Sequence, residues 1–154
     1  MELSLFDEVA DLVRGLVPAE LGEFRERHHR YGIKVWFGPV TPPREHYEAQ
    51  VIGAKYVAAA KVLALEVGFH AEHRDVTDNE AALASLLAAE KRWRKDLGKA
   101  PIAGEFLGAD VWRRVSETWP DPDLSDPDVA FEIAARLTDY VSALEPVRHA
   151  TSKR

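Results

Sequence analysis

The chain has no cysteine. That excludes disulfides, thiolate zinc sites and cysteine nucleophiles. Long apolar runs are missing too: nothing approaches the roughly 18 uninterrupted residues of a spanning helix, so no membrane partner is expected. There is no internal repeat and no low-complexity tract. Gly-x-Gly-x-x-Gly, the Gly-Lys-Ser/Thr phosphate loop, Gly-x-Ser-x-Gly and His-Glu-x-x-His are all absent, which removes the common nucleotide, serine-hydrolase and zinc-protease signatures. Positive charge is in deficit, with 20 Lys and Arg against 26 Asp and Glu and a net charge of −6. A general affinity for nucleic acid or anionic membrane is therefore not expected. The opening Met1-Glu2-Leu3-Ser4-Leu5-Phe6-Asp7-Glu8 is acidic, unlike a secretory leader. With the lack of cysteine, this makes the cytoplasm the expected location.

What is present suits a folded domain. The 154 residues, 46% hydrophobic and 30% charged, match the size and composition of one globular unit. One α+β domain is expected over residues 1–150, with 151–154 as a flexible tail. Leu5, Phe6, Val9, Leu12, Val13 and Leu16 recur at helical spacing behind Ser4, a cap residue, and predict a helix over 5–17. Residues 19–30 read as a second helix ending near Gly32, with the basic cluster Arg25, Arg27, His28, His29 and Arg30 offsetting its dipole.

Period-two alternation then predicts strands at 32–38, 45–52 and 61–72. Pro39, Pro42 and Pro43 make a stiff link between the first two. Residues 54–61 suit either a helical turn or a continued hairpin, and a single helix over 45–62 is the rival reading. Thr77 and Glu80 have the spacing of a capping box, predicting a helix that runs to Gly98. Residues 98–109 read as a loop around Phe106 and Leu107. Val111 to Trp119 is the fourth strand. The last helix is expected to start at Asp126-Pro127, to bury Val129, Ile133, Leu137, Tyr140, Val141 and Leu144, and to end at Pro146. The predicted fold is an α+β two-layer sandwich in the order ααβββαβα. Its four-stranded, mainly antiparallel sheet has helices on one face and a polar face left open.

That open face carries the chemistry. On residues 62–73, Leu63, Leu65, Val67, Phe69 and Ala71 point one way, while Glu66, Gly68, His70 and Glu72 point the other. His46, Glu48 and Gln50 share a face of the preceding strand, and Lys34 and Trp36 extend it. The candidate ligand-binding residues are thus Trp36, His46, Glu48, Gln50, Glu66, His70 and Glu72. Within them, His46, Glu48, Glu66 and His70 are a donor set suited to zinc, manganese or iron. No cofactor other than such a divalent metal is suggested. Trp112 and Trp119 fall on opposite faces of the fourth strand, so one of them joins Trp36.

Residues 121–132 have the carboxylate spacing of a calcium loop. Asp126 stands where its sharp turn needs glycine, so calcium is not expected there. Glu66-Val67-Gly68 also lacks the lysine of the acid-x-lysine metal nucleases. Because no catalytic motif is present, the expected function is a ligand-binding or protein-interaction module using the open face, with a small polar ligand or a second copy of the chain as partner. The alternative is a metal-dependent, hydrolase-like enzyme with its His/Glu site on the same face.

Overall fold

A computed structural model describes residues 4–39 and 43–152. Among them are four α-helices, α1 (Leu5–Leu16), α2 (Val76–Leu87), α3 (Glu90–Leu97) and α4 (Val129–Ser152). Six strands accompany them: β1 (Phe24–His29), β2 (Gly32–Phe37), β3 (Glu45–Gly53), β4 (Leu63–Ala71), β5 (Ile102–Phe106) and β6 (Ala109–Pro120). All strand pairs are antiparallel, in the order β1-β2-β3-β4-β6-β5. The fold is α+β with helices packed against an antiparallel sheet. None of the described helices is long and apolar enough to cross a membrane.

The sheet has six strands rather than four, and the element order differs accordingly. Residues 19–30 are not a helix. A single 3-10 turn at Ala19–Leu21 leads into β1, and Arg30-Tyr31 turns it into β2. Phe24, Glu26 and His28 are half-buried while Arg25, Arg27 and His29 are exposed, the period of a strand. The helix-dipole account of this basic cluster falls with the helix. Residues 98–109 are likewise a hairpin, β5 to β6, turning at Leu107-Gly108. Gly108 has φ +75, and a Cβ there would stand 2.6 Å from the Tyr56 ring.

The helix expected from Thr77 to Gly98 is two helices. Asp75, not Thr77, caps the first by accepting the Thr77 backbone N–H. The break follows Leu87, and the indole N–H of Trp93 donates to the Leu86 carbonyl at 2.8 Å, satisfying a group that the end of α2 would otherwise leave open. α4 starts two residues beyond Pro127 and does not stop at Pro146. Proline removes one helical hydrogen bond, but the turn around it is anchored. Buried Glu145 accepts from Tyr47 Oη at 2.9 Å and from Arg148, which also pairs with Glu45. Residues 153–154 of the expected tail, and Pro42 of the proline link, lie outside the described residues.

Residues 54–61 form a short 3-10 turn and a connection, so the rival single helix over 45–62 does not form. Most of the expected core residues are buried, but Leu5 and Leu12 are half-buried and Leu16, at the end of the α1 stripe, is exposed. Phe6, Val9 and Val13 of α1, and Ile133, Leu137, Tyr140, Val141 and Leu144 of α4, pack on Ile33, Val35, Tyr47, Ala49, Leu65, Val67 and Phe69. Ser4 and Asp7 cap α1 reciprocally. Two acids that the sequence did not mark stitch α4 to the sheet, Glu145 and Glu117. Glu117 accepts from Tyr140 Oη at 2.7 Å, from Arg136 and from the Trp119 indole.

Candidate metal centre

The register between β3 and β4 places His46 opposite His70, Glu48 opposite Gly68 and Gln50 opposite Glu66. Because opposed residues share a face, the histidines and carboxylates named from sequence are driven together. His46 Nε2 lies 2.8 Å from Glu48 Oε1 and 3.5 Å from Glu72 Oε2. His70 Nδ1 lies 3.2 Å from each of the same two oxygens. One donor atom from each of His46, Glu48, His70 and Glu72 falls within 4.8 Å of the other three. Four donors around a zinc-sized ion, with bonds of about 2.0–2.1 Å, stand roughly 3.3 Å apart. The observed spacing brackets that value.

Glu66 lies on the other side of His70. Its Oε2 is 2.6 Å from His70 Nε2, its Oε1 accepts from Gln50 Nε2 at 3.0 Å, and Ser116 donates to it as well. Ser116 is itself held by Arg114 at 2.9 Å. A carboxylate on one imidazole nitrogen orients the ring and turns the other nitrogen toward an ion. Glu66 therefore stands behind the donor set, and Glu72 occupies the place beside the histidines that the sequence reading had given to Glu66. Strand parity puts both acids on the same face and does not separate them.

The cluster is withdrawn from water: Glu66 and His70 are 0% exposed, His46 is 1% and Glu48 is 6%. Burial lowers the proton affinity of the His70 imidazole, but the Glu66, Glu48 and Glu72 carboxylates outweigh it and hold the ring well above its ordinary value. Burial raises Glu48, and the hydrogen bonds and charge of His46 and His70 more than reverse that. Glu66 is likewise lowered against burial by His70, Ser116 and Gln50. Without an ion, the group is an ion-pair network around a cationic His70. A divalent ion could take the place of the protons. Among the described residues, His46 Nδ1 and Trp36 Nε1 are buried without a hydrogen-bond partner.

Two clefts open on this face. The larger, of 420 Å³, has Glu48, Glu72 and Gln50 at its polar side and Phe106, Trp112 and Tyr56 among its walls. The Phe106 ring meets His70 edge-on at 4.7 Å and Trp112 at 5.6 Å. The second cleft, of 240 Å³, is walled by Trp36 and Trp112. Trp112 is thus the tryptophan that joins Trp36, while Trp119 packs on the core side. The calcium-type spacing has another role. Asp121 accepts the backbone N–H groups of Lys61, Val62 and Leu63 at 2.7–3.3 Å, and Asp123 accepts from Ser125. Comparison of the chain with protein-family models, with curated proteins and with solved structures finds no match.

Proposed function

We propose that the protein binds a divalent metal ion between β3 and β4 and uses it to hold a small polar ligand in the cleft above. The observation that carries this reading is the convergence of four donors at ion-coordinating distances, with the outer nitrogen of His70 backed by a buried carboxylate. The ligands are His46, Glu48, His70 and Glu72, and Glu66 orients His70. Two imidazoles and two carboxylates suit zinc, manganese or iron(II). Glu48 and Glu72 also line the 420 Å³ cleft, so an open coordination position would face it. That volume is in the ordinary range for small-molecule sites. The face is too polar to favour self-association of two copies through it. A cytoplasmic location remains the expectation from composition.

A second reading, metal-dependent hydrolysis, is favoured by one feature. Glu72 is the most exposed of the four donors, its side chain 15% accessible. It could leave the ion and act as general base on a metal-bound water.

The test is metal content of protein purified without a histidine tag and incubated with zinc, manganese or iron(II). The expected result is near one ion per chain in the wild type and well under half of that in His70→Ala and Glu66→Gln. Glu72→Gln tests the ligand assignment of Glu72: loss of the ion makes it a required ligand, and retention leaves it dispensable for binding, as the hydrolytic reading needs. A wild type that takes up no ion of any of the three would overturn the metal reading.

A further inference from the structure

We infer that the second cleft is an oxyanion pocket, and that the ligand is an organic anion whose head group sits there while its planar body lies against Trp112 toward the metal. The placement relative to the metal rests on the reading above; the anion pocket itself does not. The cleft is lined by Arg27, His29, Lys34 and Arg44, with Trp36 and Trp112 as walls. It shares Lys34, Glu72 and Trp112 with the larger cleft, so the two meet at these residues.

Lys34 and Arg44 are half-buried without a carboxylate partner, whereas the other described lysines and arginines that lack one are exposed, apart from Arg114, which donates to Ser116 and the Glu105 carbonyl. Arg14, Arg94, Arg113, Arg136 and Arg148 each lie against a carboxylate. Among the described residues, no carboxylate lies within ion-pair distance of Arg27, Lys34 or Arg44. Arg27 stands directly opposite Lys34 in the β1–β2 register. Like charges so placed repel unless an anion lies between them. Glu48 opposes Lys34 on its other side, and Glu72 is the one carboxylate lining the cleft. Both are committed to His46 and His70. The sheet thus supplies a bound anion with several donors and no internal competitor. Phe106 and Trp112, stacked edge-on beside the metal ligands, supply an apolar wall for a planar body. A net charge of −6 and the small size of the pocket favour a small anion over a nucleic-acid strand.

The experiment is calorimetric titration of full-length protein, both chelator-treated and zinc-loaded. The probes are phenyl phosphate, benzoate, inorganic phosphate, acetate and a single-stranded oligonucleotide. One aryl anion is expected to bind saturably, at least tenfold tighter than its counterpart without the ring. Preference for phenyl phosphate or for benzoate identifies the head group. Arg27→Gln and Lys34→Gln should each weaken that binding at least tenfold, with unchanged metal content and no fall in the Tm of the anion-free protein. Arg92→Gln, an exposed arginine outside both clefts, should not. Variant-sensitive anion binding by protein that holds no metal would keep the pocket and reject the metal reading. Metal uptake without saturable anion binding would reject the pocket alone. Binding indifferent to Arg27 and Lys34, or binding of the oligonucleotide but of neither aryl anion, would also overturn the inference.

Discussion

Gly68 shows how closely the site depends on single atoms. It lies between Glu66 and His70 on β4, opposite Glu48 on one side and Ser116 on the other. Its φ is +155, and a Cβ there would overlap the Val115 carbonyl oxygen and stand 2.5 Å from Ser116 Cα. Both obstacles are backbone or attached to it, so no flexible side chain can yield. Gly68→Ala should push β6 from β4 and cost about 1–3 kcal/mol, lowering Tm by several degrees. It should also weaken metal uptake, because Ser116 holds Glu66 from that strand. Thermal melts and metal analysis of the variant check this, and an unchanged Tm would refute it. Of the candidate residues, parity along β3 and β4 sufficed to group His46, Glu48, Glu66, His70 and Glu72 on one face. Which acid faces the histidines depends on strand register, and register is set by pairing partners rather than by the strand's own residues.

At the scale of elements, the four strands read from sequence are β2, β3, β4 and β6, the four interior strands. The two that were missed, β1 and β5, are the two edges of the sheet. Interior strands are buried on the core face along their length and show clean apolar alternation. Edge strands have one partner and tend to be short or charged. β1, Phe-Arg-Glu-Arg-His-His, alternates in burial but not in hydrophobicity, so the signal that marks a strand was absent. β1 is tied to the helical layer by Arg14 of α1, 2.6 Å from Glu26, and by His28, whose ring nitrogens lie 2.9 Å from Glu26 and from Asp7 of α1. The hydrogen bond to Glu26, aided by that to Asp7, raises His28 above its ordinary 6.5 despite partial burial. A raised folded-state pKa stabilises fully below the unfolded value and is lost as pH rises through the folded one. The Tm difference between wild type and His28→Gln should therefore be largest near pH 6 and shrink by pH 8.5. Taking the difference cancels other titrating groups common to both proteins. An equal difference at both pH values would show that the His28 contacts owe nothing to charge.

Across the whole molecule, the sheet separates two tasks. Its core face carries the apolar contacts with α1 and α4, sealed by Glu117 and Glu145. Its open face carries buried histidines and carboxylates, an arrangement that adds little stability by itself, because desolvation offsets much of the attraction between buried charges. An ion bridging β3 and β4 would change that balance, since its binding energy to the folded chain adds directly to stability. At a hundredfold excess over the dissociation constant the gain is about 2.7 kcal/mol, roughly 5–11 °C in Tm for a chain of this size. Zinc should thus raise the Tm of the wild type by several degrees, and a chelator should reverse it. The rise should vanish in His46→Gln, which removes a ligand, and persist in Lys34→Gln, which lines the same cleft without touching the ion. A rise of equal size in His46→Gln would mean that zinc binds elsewhere, for example at His73 and Glu45, which lie 2.8 Å apart. The pair of variants therefore reads the location of the ion, and the wild-type melt reads only its presence.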